Sequence, residues 1–269
     1  MQRFRLDLAY CGTRYNGWSV QTPSVMHKDS IQSLLENAAA QLHKPPVRVY
    51  GCSRTDAGVH ALHAVAHIDL PQINSQGVEN QPEKIRDRMR HLLRGSDILI
   101  KSVQKVDLTF HAQHSAIHKR YVYKILNIPR YHPARFNELF NKNTQWVLDK
   151  SLDLSSMSVK LTTDHGSTST VKNIQSIEMD TQPPPLELSY IEDAQTIQIS
   201  ISGDSFLKNQ VRAMVGGIVE VGMGKTTIRN IEELLSSGTR NSFSPTIAPA
   251  AGLYLQHIEY PESPSTREE

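Results

Sequence analysis

The sequence predicts a chain of mixed strands and helices, and three patterns carry that reading. Phe4, Leu6, Leu8 and Tyr10 alternate with Arg3, Arg5, Asp7 and Ala9, the period-two signature of a half-buried strand. Ile31, Leu34, Leu35, Ala38 and Leu42 recur at helical spacing after a capping residue, Asp29 or Ser30. Through residue 106 such patterns follow one another as strand, helix, strand, strand, helix, strand. A length of 269 residues is enough for one large or two small domains, with a sizeable core in either case.

Taken in order, the first strand ends at Tyr10-Cys11-Gly12-Thr13-Arg14-Tyr15-Asn16-Gly17-Trp18. The first helix stops by Pro45-Pro46. Val47 to Tyr50 reads as a strand, and His63 to Leu70 as the next. Pro82 to Leu93 reads as a helix with Ile85, Met89, Leu92 and Leu93 inward. Its other face carries Lys84, Arg86, Arg88, Arg90 and Arg94, either a solvated face or a surface for an RNA backbone. Asp97 to Val106 is a strand. Tyr121, Tyr123 and Ile125 share one strand face; Arg120, Val122 and Lys124 share the other. Ser151 to Lys160 is a weak helix, 164–170 is a polar stretch, and 174–179 and 197–201 are strands. Phe206 opens a helix with Leu207, Val211, Met214, Val215, Ile218 and Val219 as its apolar stripe. Gly216 and Gly217 inside it cost roughly 0.8–1 kcal/mol each against Ala, which implies a neighbour too close for a β-carbon. Thr226 or Thr227 starts a last helix with Ile228, Ile231, Leu234 and Leu235. A strand then runs to Tyr260, and 261–269 is a polar tail expected to be disordered.

Composition sets bounds. The net charge is only +2, so an RNA site would have to come from clustered rather than total charge. No apolar run approaches the ~20 residues of a membrane span, and no membrane partner is expected. Two cysteines, Cys11 and Cys52, argue against a disulfide framework and for a reducing compartment. The chain enters a strand pattern at once, with no signal peptide or presequence visible, which leaves cytoplasm and mitochondria both open.

The stretch around which the rest is organised is Ser53-Arg54-Thr55-Asp56-Ala57-Gly58-Val59-His60, a loop between two strand patterns. Arg54 and Asp56 are two apart, so on an extended backbone they project to one side and the guanidinium can hold the carboxylate ionised. Gly58 permits a turn with positive φ. Taken alone, the pair reads as a surface ion pair beside a turn, since exposed Arg–Asp pairs are common.

The whole string resembles the signature of the TruA family of tRNA pseudouridine synthases. The segment 10–18 is similar to the family's opening motif, with Cys11 in place of Asp and Ser19-Val20 in place of Gln-Arg. Phe110-His111-Ala112-Gln113-His114-Ser115-Ala116 leads into Tyr121-Val122-Tyr123 as in the family, Gln113 replacing an Arg. Phe206 to Arg212 resembles the family's helix, and Ala248-Pro249-Ala250-Ala251-Gly252-Leu253-Tyr254-Leu255 its closing run. Ser53 before Arg54 and the short 164–170 stretch look more like the animal, mitochondrial-type pseudouridine synthase-like branch.

The resemblance implies an α+β fold: a large central antiparallel sheet flanked by helices, in two related halves (1–107 and 108–260) with the active cleft between them. It implies isomerisation of uridine to pseudouridine in the tRNA anticodon stem-loop, without a cofactor, by an enzyme that dimerises as bacterial members do. Asp56 becomes the nucleophile, Arg54 fills space left by a flipped base, Tyr121 stacks on that base, Arg212 pairs with the Asp, and Leu253 excludes water. Arg86, Arg88, Arg90, Lys119, Arg120 and Lys124 are the candidate RNA contacts. Tyr121 as a plain core aromatic and Arg212 as a snorkelling surface Arg are the alternatives. A non-catalytic RNA-binding module of the same fold is the alternative for the whole chain.

Two decoys are set aside. Gly222-Met223-Gly224-Lys225-Thr226 lacks the earlier glycine of a P-loop and follows a helix rather than a strand. The sets His60, His63, His67 and His111, His114, His118 have no companion Cys or acidic pattern of a metal site, so no metal is expected.

Overall fold

The computed structural model describes residues 1–20, 29–43, 46–73, 77, 79–129, 143–157, 174–189, 191–231 and 245–261. The expectations for Pro45, 164–170, Leu234, Leu235 and the tail from 262 lie outside these residues. The chain forms two compact units: Met1–Lys119 with Leu255–Glu269, and Arg120–Tyr254.

The first unit is built on β1 (Gln2–Tyr10), which pairs antiparallel with β3 (His60–Leu70) on one side and β4 (Ile98–Val106) on the other. A short β2 (Tyr50–Gly51) pairs antiparallel with β3. The expected alternation holds in β1, where Phe4, Leu6 and Leu8 are wholly buried. Helix α1 (Ile31–Ala39) is capped by Ser30, not Asp29. The Ser30 side chain accepts from the Ser33 N–H at 3.1 Å while Ser33 Oγ accepts from the Ser30 N–H at 3.1 Å. Such a cap stabilises the helix by about 1 kcal/mol. The helix stops at Ala39, so Leu42 lies beyond it in a turn. Helix α2 (Pro82–Leu92) buries Ile85 and Met89 and packs on β4, with Pro82 in the first turn where a missing N–H costs nothing. Val47 and Val49 are buried as their apolar character requires, but only Tyr50 and Gly51 of that stretch enter the sheet.

On the opposite face of β1 sits a buried polar network. Asp7, 6% exposed, accepts from Arg5 Nη2 at 2.8 Å and Ser102 Oγ at 3.0 Å, and lies 2.9 Å from His63 Nε2. Burial raises the pKa of this carboxyl, but the hydrogen bonds from His63, Arg5 and Ser102 outweigh it and hold the group below its ordinary value. The Arg5 guanidinium lies 4.8 Å from the centre of the Tyr260 ring.

The second unit contains β5 (His118–Asn127), β7 (Ile174–Gln182) and β8 (Gln195–Gly203). Here β8 lies between β5 and β7, antiparallel to β7, and β6 (Trp146–Leu148) runs parallel to β5. The strand pairing is therefore mixed within an α+β fold. Leu126, Ile128, Leu188 and Ile191 form a buried cluster with Val147 and Ala194 against it. A short α3 (Leu154–Met157) packs on α4 (Gln210–Gly222). β5 begins and β9 (Leu253–Glu259) ends in the first unit, so each strand passes from one unit to the other along the chain.

Helix α4 begins four residues later than its sequence pattern. Asn209 has φ +63°, left-handed, so the helix starts at Gln210, and Leu207 is 55% exposed rather than on the apolar stripe. Asn is among the few residues that tolerate this region, and its conformation ends the continuity the spacing suggested. Inside α4 the glycines do answer a close approach: a β-carbon on Gly216 would fall 1.6 Å from the Thr246 carbonyl oxygen.

Two predictions follow from this packing. Gly216→Ala gains roughly 1 kcal/mol of helix propensity but must displace backbone, so a net loss of about 3 kcal/mol is expected in urea unfolding. A stabilised variant would contradict the approach. Asp7→Asn should destabilise by about 3 kcal/mol at neutral pH by breaking a buried charge pair. The depressed carboxyl pKa contributes stability above the unfolded value near ~3.9, and that stability is lost as pH falls through the folded value. Unfolding midpoints of Asp7→Asn should therefore fall less between pH 7 and pH 3 than those of the parent protein.

Candidate active site

The Asp56 loop is held by backbone as much as by side chains. Cys52 exchanges hydrogen bonds with Val65: its N–H donates to the Val65 carbonyl at 2.8 Å, and its Sγ accepts from the Val65 N–H at 3.3 Å. Its carbonyl accepts from Lys119 Nζ at 3.0 Å. Burial pushes the Cys52 thiol up to about 11, so it is not a nucleophile at neutral pH. Thr55 is buried, its hydroxyl 2.8 Å from the Tyr10 hydroxyl, and its carbonyl accepts from the Trp18 N–H at 3.0 Å. The Val59 N–H donates to the Asp56 carbonyl at 3.1 Å, closing a turn in which Gly58 has φ +81°. Arg54 and Ala57 are exposed and Asp56 is half-buried. The loop thus buries its Thr while leaving the Arg and the carboxylate at the surface.

The segment 12–18 is the brace. A β-carbon on Gly12 would sit 1.9 Å from the Val59 carbonyl oxygen, and one on Gly17 would sit 2.5 Å from the Thr55 carbonyl oxygen. Only glycine lets this backbone reach the loop backbone. His60 then accepts the Gly12 N–H on Nδ1 at 3.1 Å, so this histidine is spent on structure.

In the second unit Tyr121 is buried and meets Phe206 edge-on, ring centres 5.2 Å apart. Arg212, half-buried in the first turn of α4, donates Nε to the Ala248 carbonyl at 2.7 Å and Nη1 to Asn209 Oδ1 at 3.2 Å. The Ala248 N–H returns a bond to the Arg212 carbonyl at 3.1 Å. Leu253 is buried at the start of β9. Next to it, a β-carbon on Gly252 would meet the Tyr123 ring at 2.5 Å, and the Tyr123 hydroxyl donates to the Pro249 carbonyl at 2.7 Å. The closing run and the Arg212 helix are therefore locked together within this unit. Arg54 and Asp56 belong to the first unit; Tyr121, Arg212 and Leu253 belong to the second.

The candidate RNA cations separate by environment. Lys84 and Arg88 are exposed on α2. Arg86 pairs with Asp87 at 2.8 Å, and Arg90 donates to the carbonyls of Ile100 and Lys101. Lys119 is only 7% exposed, its ammonium committed to the Cys52 carbonyl. Arg120 pairs with Glu178 at 3.0 Å, and Lys124 lies 4.7 Å over the Tyr254 ring. Among the described residues no group of three or more His, Cys, Asp or Glu is arranged to hold a metal ion. Sequence reasoning missed the supports: Tyr10 on Thr55, Asn209 and Ala248 on Arg212, and Lys119 beneath the loop. Their only sequence signal was their presence in or beside the quoted motifs.

The loop that carries the Asp56 carboxylate precedes β3 within this α+β fold. A family model described as tRNA pseudouridine synthase matches residues 156–261. The tRNA pseudouridine synthase A of Maricaulis maris is 32% identical over 267 residues, covering 97% of this chain and 99% of that protein. That of Leuconostoc citreum is 35% identical over 282 residues, covering 98% and 100%, and that of Rhodopseudomonas palustris BisA53 35% over 266, covering 97% and 100%. The chain belongs to the tRNA pseudouridine synthase A, or TruA, family.

Tyr10→Phe tests the brace. Losing the hydroxyl that meets Thr55 in a buried site should cost about 1–2 kcal/mol of stability. It should also lower turnover more than RNA affinity, because the loop backbone carries the carboxylate. Turnover and binding falling together, in proportion to the fraction unfolded, would show that the hydroxyl serves the fold alone.

Proposed function

We propose that this chain is an isomerase that converts uridine to pseudouridine in tRNA, with its target in the anticodon arm. The reading is carried by an intact Asp56 loop in a chain aligned over nearly its whole length with tRNA pseudouridine synthase A proteins. In the reaction the N1–C1′ bond breaks, the uracil turns over and C5 joins C1′; the C5 hydrogen leaves as a proton and N1 ends protonated. The exchange is redox-neutral and consumes no second substrate, so a cofactor is not required by its balance.

In this proposal Asp56 acts as the nucleophile. An ionised carboxylate attacks C1′, or assists loss of uracil to a glycal, or adds at C6, and the residue needed is the same in each case. Its half-buried position in a braced loop suits any of these, since attack needs a carboxylate already aimed. Arg54 fills the space of a uridine that has left its stack, an extrusion costing a few kcal/mol. Tyr121 stacks on the base, Arg212 keeps the nucleophile ionised and Leu253 excludes water from the intermediate. Of the candidate RNA cations, Lys84 and Arg88, which are exposed, suit phosphate contact best; the others would act through groups already engaged within the protein. Ser53 and the short 164–170 stretch support a place in the animal, mitochondrial-type branch, with mitochondria or cytoplasm as the compartment, a homodimer as the assembly and other RNA as a second substrate.

The test is Asp56→Asn, which changes shape very little but replaces a carboxylate by a far weaker nucleophile and base. Pseudouridine formed per enzyme on an anticodon-arm tRNA should fall by orders of magnitude while RNA affinity and unfolding midpoint stay near those of the parent. Near-normal turnover would remove Asp56 from the chemistry. A parent protein that binds this RNA and forms no pseudouridine would favour the non-catalytic module.

A further inference from the structure

Beside the Asp56 loop the first unit carries an open groove of about 760 Å³, lined in part by Trp18, Arg48, Tyr50, Arg54, His111 and Gln113. That volume lies within the ~300–1,000 Å³ typical of small-ligand sites. The groove begins at the loop itself: Arg54 stands two residues before Asp56, and Trp18 donates its N–H to the Thr55 carbonyl between them.

Tyr50 is the feature that needs explaining. It lies in a strand yet is 41% exposed. Its ring stacks on His67, centres 4.9 Å apart and planes 12° from parallel. His67 is itself fixed, accepting the Ala112 N–H on Nδ1 at 3.1 Å. Burial, then the charges of Arg3 and His111, push its pKa down to about 4, so the support under Tyr50 is uncharged at neutral pH. The Arg48 guanidinium carbon lies 5.6 Å from the Tyr50 ring centre.

The polar groups of the groove favour an anionic, hydrogen-bonding guest. His111 accepts on Nδ1 from the N–H groups of Gln113 at 3.1 Å and His114 at 3.3 Å. Burial, then His114 and Arg3, lower its pKa. A neutral ring whose Nδ1 accepts must carry its proton on Nε2, which makes it a donor. Glu36 is the acidic residue of the lining, and its Oε1 accepts from the Val49 N–H at 3.1 Å and from Gln32 Nε2 at 3.0 Å. It therefore pins the 47–50 segment to α1, and two guanidiniums stand against its single carboxylate.

We propose that this groove is a subsite for a nucleotide adjoining the target uridine: its base stacks on Tyr50 and its phosphate meets Arg48. The proposal rests on the pseudouridine synthase reading and deepens it. A uridine that leaves its stack to react deprives its neighbour of a stacking partner. An aromatic ring held rigid and exposed next to the loop holds that neighbour in place while Arg54 fills the gap, and stacking on such rings or on Arg planes is how single-stranded bases are held. Guanidiniums recognise phosphate by charge and geometry together.

The experiment uses anticodon-arm RNA with 2-aminopurine one position to either side of the target uridine. Binding to the parent protein should quench the fluorescence of one of the two. Tyr50→Leu should abolish that quenching and raise Kd about ten-fold or more, raising KM with a much smaller effect on kcat, while Tyr50→Phe restores both. Arg48→Gln should reduce the slope of log Kd against log salt by about one. Quenching that survives Tyr50→Leu, or a loss of kcat with Kd unchanged, overturns the subsite. A parent protein that quenches the probe but makes no pseudouridine leaves the subsite standing and overturns the function proposed above.

Discussion

The first unit depends on one approach of backbone to backbone. The Trp18 N–H reaches the Thr55 carbonyl at 3.0 Å because Gly12 and Gly17 carry no side chain where the loop passes. From that contact the rest follows. Thr55 turns inward to meet the Tyr10 hydroxyl, and its neighbours on either side, Arg54 and Asp56, are left at the surface. A side chain on either glycine would part the two segments, and the carboxylate would move with the loop. A side chain carried on a backbone fixed by hydrogen bonds is positioned before any ligand arrives, which is where much of the advantage of a protein site lies.

The second unit repeats the logic with different parts. Arg212 and Ala248 exchange bonds in both directions, main chain and side chain, so the closing run 248–253 is stitched to the first turn of α4. Gly216 one turn further on admits the Thr246 carbonyl against the helix, and Gly252 admits the Tyr123 ring against the turn. Asn209 in the left-handed region sets where the helix begins and also accepts from the Arg212 guanidinium. Its unusual conformation and its contact with a candidate site residue belong together, as strained positions often do at functional sites.

The polar residues divide in a way their types do not announce. His60, His67 and His111 each accept a backbone N–H on Nδ1, which makes them structural groups rather than metal ligands. Lys119 and Arg90 look like surface cations in the sequence, yet both satisfy carbonyls. Long basic side chains can serve either end, and burial of the partner carbonyl makes the internal bond worth more.

The sequence by itself determined the strands and helices with strong periodicity, β1, α1, α2 and β8 among them, because one buried face imposes its period on the residue order. It also singled out the 53–60 loop, because the whole string from Ser53 to His60, and not the spacing of Arg54 and Asp56 alone, resembles the signature of the family. The tertiary structure decided what periodicity does not encode. It ended α1 at Ala39, started α4 at Gln210 and kept all but two residues of 47–51 out of the sheet. It turned Lys119 inward and left Tyr50 outward on a histidine. The last two outcomes depend on partners distant in the chain, the Cys52 carbonyl and the His67 ring, and a local pattern carries no record of which distant group will be there.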